Sequence, residues 1–478
     1  MRVLLTTPPM QHFNVSGVVF RNFGPYNLAK LAGNLMDRHE VRIADYTLLR
    51  LHSNTLRSDI RGFEPQVVAM SNPFSGYTRA LGELAQQVKA AFPEVILIAG
   101  GQAASAMWAH HLAQGFDFVV HGEGEVTFRA LLDWLEAGGR PGMDASHLEG
   151  VAFGGPEGPT RAPARRMVAD LDTLPLARRE LLVPRRGLMS EGKAALAELS
   201  RGCPFHCGFC SQPGMWGRYR RRSNEAIFEE LQFLARQGYT EVCFTDDTVG
   251  VDFGDAHRFP EETAALFEML IRAKLRLILG ACMRADTAAR FPELVKLAAR
   301  AGLRLVNMGF ESYTRNGLQA LGKGENSLEI NRRASEVLRG VGVLIWGSHV
   351  YGAPSQTEED LAATVEYGPQ YSDFFRMTMA SPLPGSASFK KLLKEGKIRE
   401  DSPLDVTYYH YTYQDGKDPK EIQRRYLWEL SKYYLSRGSL STLVDADPIK
   451  RELARQSYKG AAFFGMGKLL RSARLSDL

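Results

Sequence analysis

Over the first 140 residues, short apolar runs alternate with stretches whose apolar positions recur at helical spacing. Met1–Thr6, Val41–Ala44, Val67–Ser71, Val95–Gly100 and Phe118–His121 read as strands, with Tyr26–Met36 and Tyr77–Ala91 as helices among them. Because the runs are apolar throughout, the strands are expected to be covered on both faces, as in a doubly wound parallel sheet. Ligands of such sheets sit beyond the carboxyl ends of the strands. Here those ends carry Thr6-Thr7-Pro8-Pro9, Ser71-Asn72-Pro73, Gly100-Gly101-Gln102 and Gly122-Glu123-Gly124-Glu125. From Glu136 to Lys193 no period persists and Gly, Pro and Arg are frequent, which predicts a linker or a weakly structured hairpin. After Ala194 a second series has strands near Ala195–Ser200, Glu241–Thr245, Leu277–Ala281, Leu305–Phe310, Val343–Tyr351 and Phe374–Ala380. Six strands separated by helices predict a partial (β/α)6 barrel, with its site at the C-terminal strand ends. Beyond Asp401, the tyrosines Tyr408, Tyr409, Tyr411 and Tyr413 and the amphipathic stretch Pro419–Ser436 read as a small C-terminal cap. The expected class is α/β: a sheet domain over 1–140, a linker over 141–193, the barrel over 194–400 and the cap over 401–478.

The length of 478 residues requires more than one core, since single cores stop growing near roughly 250–300 residues. A net charge of +5 from 59 basic and 54 acidic residues does not point to nucleic acid. The basic run Arg218–Arg222 is either a solvated face or an anion-facing wall. No apolar stretch reaches the ~20 residues that span a bilayer, and MRVLLTTPPM starts as a strand with no signal-peptide pattern. A cytoplasmic protein is expected. Five cysteines, three of them within eight residues, are not a disulfide framework, and a reducing compartment leaves the thiolates free as ligands.

Those three are Cys203, Cys207 and Cys210, in Ser200-Arg201-Gly202-Cys203-Pro204-Phe205-His206-Cys207-Gly208-Phe209-Cys210. Thiolates at spacings of four and three suit three corners of a cubane cluster; with no fourth cysteine nearby, one iron keeps an open position. A closed zinc site would need His206 or a distant fourth ligand, and buried inert thiols are the remaining alternative. Cys243 and Cys282 lie in strands among apolar neighbours and read as small buried hydrophobes.

The segment resembles the CxxxCxxC motif of the radical SAM superfamily, with an aromatic, Phe209, before the last cysteine. The resemblance implies a [4Fe-4S] cluster whose unique iron is chelated by S-adenosylmethionine. It also implies one-electron cleavage to a 5′-deoxyadenosyl radical, with an external flavodoxin- or ferredoxin-like electron donor. It assigns S-adenosylmethionine contacts to Asp246 and Asp247, to Arg284, and to Glu311 and Ser312, at the ends of successive barrel strands. Read from the residues alone, the aspartates could equally be a helix N-cap and Arg284 half of a salt bridge. Gly352–Thr357 and Pro382–Ser386 are also family-like strand-end loops.

The N-terminal series resembles the Rossmann-like cobalamin (B12)-binding domain joined to one radical SAM subfamily. The matching features are Pro8-Pro9, Gly100-Gly101, Val120–Glu125 and the segment Asp170–Pro175. The resemblance places the cobalamin nucleotide tail on Ser71, Gly100, Gly101, Gly122 and Glu123, where glycines allow close backbone approach. The histidine-bearing DxHxxG motif is absent, as in many members; the competing reading is a purely structural module. The chain has no cysteine before Cys203 and none after Cys282, so it lacks the second cluster of methylthiotransferases and the auxiliary clusters of extended relatives. The expected function is cobalamin-dependent methylation of an unactivated carbon in a small molecule of secondary or cofactor metabolism. The alternative is a radical cyclisation, rearrangement or dehydration, for example of an aminoglycoside sugar. A non-enzymatic cobalamin carrier would need neither the Cys203 motif nor the barrel.

Overall fold

Strands β1 (Arg2–Thr6), β2 (Glu40–Ala44), β3 (Val67–Ser71), β4 (Ile96–Gly100) and β5 (Phe118–Val120) pair in parallel in the order β2-β1-β3-β4-β5. In this computed structural model the described residues are 1–7, 24–46, 53–155, 158–183, 189–190, 192–252, 255, 257–399, 401 and 412–461. Pro8-Pro9, Tyr408, Tyr409 and Tyr411 lie outside them.

The uniformly apolar runs are explained by burial on both sides. Leu4, Val68, Met70, Leu97, Ala99 and Val119 pack into one helical layer, and Val3, Leu5, Val67, Ala69, Ile98, Phe118 and Val120 into the other. Each of the Val, Leu, Ile, Met and Phe side chains among them contributes about 1.5–3 kcal/mol of transfer free energy. Chain order reverses between β1 and β3, so the crevice of this sheet opens beside Thr6-Thr7 and Ser71-Asn72.

Part of the expected linker belongs to the sheet. Strands β6 (Val151–Gly155) and β7 (Gly158–Arg161) form an antiparallel hairpin that adds to β5, extending the sheet beyond residue 140 to Arg161. A hairpin was one of the two expectations for this stretch; its pairing with the sheet was hard to read because VAFGG and GPTR hold few apolar residues. Only Val151, Ala152 and Phe153 are buried.

The second unit starts at β8 (Lys193–Ala197), followed by the short strands β9 (Ser200–Arg201) and β10 (Arg220–Arg221), which pair antiparallel. Strands β11 (Tyr239–Phe244), β12 (Ile278–Arg284), β13 (Leu303–Glu311), β14 (Leu344–Tyr351) and β15 (Phe374–Met379) join β8 in a parallel six-stranded partial barrel, order β8-β11-β12-β13-β14-β15. Each of the six carries residues buried under the helices and at least one that is not. Ala195, Ala197, Val242, Phe244, Ala281, Met283, Val306 and Met308 are buried under the helices, whereas Leu196, Cys243, Cys282, Asn307, Ser348 and Arg376 are half-buried and face a lumen. Cys243 packs with Leu196 in the apolar cluster at the closed end of the barrel, as expected of a small buried hydrophobe, whereas Cys282 meets the polar Asn307 in the lumen.

The C-terminal segment does not act as a lid among the described residues. Helix Pro419–Leu435 covers the edge strand β15, where the Tyr426 hydroxyl donates to Met377 O at 2.7 Å. Helix Pro448–Ala461 seats Leu453 and Ala454 against Ala194, Leu305, Leu344, Trp346 and Phe374, closing the N-terminal end of the barrel. Tyr413 is buried in the cluster around β15. No helix among the described residues is long and apolar enough to cross a membrane.

The basic run is neither a solvated face nor an anion wall. Arg220 and Arg222 are buried in ion pairs with Glu123 and Glu230, Arg221 bonds Asn224 Oδ1 at 2.7 Å, and only Arg218 is exposed.

Candidate active site

The loop carrying Cys203, Cys207 and Cys210 leaves β9 at the C-terminal end of β8. Gly202 takes φ +85°, and a Cβ there would stand 2.8 Å from Arg218 O. Gly208 N donates to Leu321 O at 3.2 Å, and its carbonyl accepts from Ser388 N at 2.8 Å. Cys210 N donates to Cys207 O at 3.0 Å. Phe209 packs against the apolar cluster that includes Leu321, Val350 and Tyr351, so it anchors the loop to the barrel. All three cysteines are half-buried, and burial pushes the Cys203 and Cys210 thiols up to about 11 and about 12. Among the described residues, the one group of three Cys, His or carboxylate ligand atoms within 4.8 Å of each other is His39, Asp133 and Glu136. A tetrahedral zinc site, with Zn–S bonds of about 2.3 Å, needs sulfurs closer than that.

Replacing Gly202 by alanine should force the loop off the Trp216–Arg218 backbone at a cost of about 1–3 kcal/mol. The expected result is reduced iron and sulfide per chain after anaerobic reconstitution; wild-type loading would contradict this account of the loop.

The other strand ends separate into residues that face the loop and residues committed elsewhere. Asp247, after β11, is half-buried, is pushed up to about 7 by burial, and acts on both Cys203 and Cys210. Such a carboxylate suits a cationic ligand, as the ammonium of S-adenosylmethionine is. Asp246 beside it is fully taken up: it accepts from Leu199 N at 2.9 Å and Ser200 Oγ at 2.5 Å, bracing the strand that leads to the cysteines. Its expected role as a cofactor contact is corrected to one of support. Arg284 donates to Cys207 Sγ at 3.7 Å and lies 3.4 Å over the Phe205 ring, held by Asp286 at 2.8 and 3.1 Å. It is thus both a salt bridge and a sulfur contact. Glu311 sits at φ +67°, an uncommon conformation for a non-glycine residue. Its Oε1 lies 3.2 Å from Lys323 Nζ, and a Cβ on Gly309 would come within 2.2 Å of that oxygen. Ser312 is fully buried, and its hydroxyl has no partner.

In the lumen below, Ser348 Oγ donates to Asn307 Oδ1 at 2.9 Å, and Asn307 Nδ2 donates to Cys282 Sγ at 3.6 Å. Arg376 lies beside Cys282, and burial holds that thiol up at about 11. Sequence reasoning missed this polar floor, because Asn307, Ser348 and Arg376 stand singly among the apolar residues of β13 to β15.

On the sheet domain, Gly101 at φ +101° brings its loop so close to β3 that a Cβ would lie 2.9 Å from Asn72 O. Gly122, at φ +80°, has open space where its Cβ would be, and its N–H bonds Ser105 Oγ at 3.0 Å. Ser71 Oγ accepts from Asn27 Nδ2 at 2.9 Å. Beyond β3, Asn72 Oδ1 and Ser75 Oγ are buried with no hydrogen-bond partner. Orphaned polar atoms at the crevice, with a glycine cradle beside them, fit the polar tail of a nucleotide-bearing cofactor. Glu123 does not line this cradle: its oxygens are held by Arg201 and Arg220, and its expected cofactor role is corrected. Gln102, which the sequence reading placed at a strand end but gave no role, donates to Ser211 Oγ at 2.7 Å and Gln212 Oε1 at 3.3 Å. The strand ends of the sheet domain thus touch the cysteine loop.

Residues 197–368 match the radical SAM superfamily. The chain belongs to that superfamily and is a radical SAM enzyme. Residues 16–132 match the B12 binding domain, which places it in the branch that joins that domain to the barrel. It is 28% identical over 429 residues to an uncharacterized methyltransferase of Pyrococcus horikoshii, covering 86% of each chain. It is 25% identical over 474 residues to the anaerobic magnesium-protoporphyrin IX monomethyl ester cyclase of Rubrivivax gelatinosus, covering 95% of this chain and 80% of the relative. It shares its fold with the radical S-adenosylmethionine methyltransferase TsrM of Kitasatospora setae, solved with cobalamin and a [4Fe-4S] cluster. The TM-score is 0.70 at 17% identity, over 96% of this chain and 99% of that one.

Proposed function

We propose that this enzyme methylates an unactivated carbon of a small molecule, holding a [4Fe-4S] cluster on Cys203, Cys207 and Cys210 and cobalamin on the sheet domain. The observation that carries the reading is the contact of Gln102, at the sheet crevice, with Ser211 and Gln212, directly after the last cysteine. A cofactor in that crevice and a cluster on that loop would face each other. When bound, the cluster, charged by an external one-electron donor, supplies the electron that cleaves S-adenosylmethionine, and cobalamin supplies methyl-transfer chemistry. The protein's own groups orient and enclose. Asp247 receives the methionine ammonium, Glu311 offers an acceptor to the ribose hydroxyls, and Arg284 steadies the Cys207 sulfur. Asn72 and Ser75 offer unmet hydrogen-bonding capacity to the cobalamin tail. Asn307, Ser348 and Arg376 line the space where a substrate would sit. Buried-state thiols and the need for reducing conditions fit a cytoplasmic enzyme.

A second reading omits methyl transfer, and the likeness to the Rubrivivax gelatinosus cyclase over 95% of this chain favours it. Nucleoside products separate the two. Reconstituted enzyme incubated anaerobically with S-adenosylmethionine and dithionite should form S-adenosylhomocysteine as well as 5′-deoxyadenosine, the former only when hydroxocobalamin is added. 5′-Deoxyadenosine alone, with or without cobalamin, would favour the second reading; neither product would overturn both.

A further inference from the structure

One guanidinium ties together three loops that the site depends on. Arg201 stands two residues before Cys203, and its side chain is 4% exposed. Its Nη1 donates to Glu123 Oε1 at 2.9 Å, its Nη2 to Glu125 Oε1 at 2.5 Å and its Nε to Glu198 Oε1 at 2.9 Å. Glu123 and Glu125 follow Gly122 at the end of β5, on the sheet domain. Glu123 is gripped a second time by Arg220, paired to Arg201 across β9 and β10, and Glu198 lies 3.2 Å from Lys30 of the sheet domain. Three buried cations thus meet three buried carboxylates across the domain boundary. The same β9 segment is bonded through Leu199 and Ser200 to Asp246, next to Asp247.

Burying six charges costs more desolvation than an apolar contact of equal size, so such a network is a poor source of stability. What it provides is a single geometry, because each fork of the guanidinium is satisfied in only one arrangement. We propose that Arg201 is a positioning residue that sets the separation and orientation of the sheet-domain strand ends relative to the cysteine loop. This inference rests on the reading that the loop holds a cluster and the crevice holds cobalamin.

The test uses full-length Arg201→Met and the double variant Arg201→Met/Glu125→Gln. The double variant removes one cation and one carboxylate and so keeps the buried charge balanced. Iron content and hydroxocobalamin absorbance measure whether each cofactor still binds. The relaxation of the cob(II)alamin EPR signal by the reduced cluster measures their separation. In the double variant both cofactors should load and 5′-deoxyadenosine should still form. The EPR relaxation should change, and S-adenosylhomocysteine formation should drop about tenfold to a hundredfold, as a misplacement near 1 Å would cause. Unchanged relaxation together with wild-type S-adenosylhomocysteine formation would overturn the proposal. So would loss of both cofactors with collapse of the melting transition in both variants, which would make the network structural only. If the wild-type protein takes up no cobalamin, it is the functional reading that fails, and the wild-type sample alone reveals it.

Discussion

Replacement of Cys207 by alanine should abolish S-adenosylmethionine cleavage, a fall of at least about 10³-fold, or ~4 kcal/mol of barrier. A cubane held by three protein thiolates keeps one open iron for its co-substrate, and two thiolates cannot hold that arrangement. No substitute is at hand: Cys243 is packed in the apolar cluster at the closed end of the barrel, and the Cys282 sulfur accepts from Asn307. Arg284 would lose its sulfur partner but keep Asp286, so the surrounding loops should stand. Under strict anaerobiosis the variant should therefore melt like wild-type apoprotein yet show no iron–sulfur absorbance and no 5′-deoxyadenosine. Retention of both would remove the cluster from the mechanism.

The largest stability effect is expected at Glu230. Its side chain is 2% exposed; Oε1 accepts from Arg179 Nη2 at 2.5 Å and Oε2 from Arg222 Nη1. Glutamine in its place takes the carboxylate partner from buried Arg179 and leaves Arg222 with only Asp172, 3.6 Å away, a loss of roughly 3–5 kcal/mol. At about 2–4 °C per kcal/mol for a domain of 150–250 residues, the barrel transition should fall by on the order of 10 °C. The pH dependence has a fixed sign. Burial pushes the Glu230 carboxyl up, but Arg179 and Arg222 outweigh it and hold the group below its ordinary value. A lowered folded-state value means the contribution is complete above the ordinary glutamate range, near 4.3, and fades as the pH falls below it. The gap between wild type and Glu230→Gln should be full at pH 7 and narrow in acid, as calorimetry at both pH values would report. An equal melting temperature at pH 7 would show that the arginines find other partners.

The strands of both units were readable because their signal is local. Runs such as VVAMS and ILIAG have no amphipathic face, which only a strand covered on both sides tolerates. The cysteine loop was readable because spacing alone constrains a metal site. What sequence could not assign was the direction of neighbouring polar residues. Asp246 and Asp247 look equivalent in the chain, yet successive residues at a strand end point to opposite sides, and one supports β9 while the other faces the cysteines. Glu123 looked like part of a glycine-rich ligand loop because its arginine partners lie 78 and 97 residues away. Gln102 was hidden for the same reason, with its partners 109 and 110 residues on.

The seating of Leu453 and Ala454 under the barrel has a further meaning for how such an enzyme can change. With that end stoppered by an apolar plug, the lumen is a cul-de-sac whose mouth lies where the cysteine loop and the sheet domain meet. Side chains around the plug, such as Trp346 and Phe374, can drift in size together without any reacting group registering it. Residues at the mouth have no such freedom. The chain divides its tolerance for mutation along the barrel axis, with robustness at the closed end and chemistry at the open one.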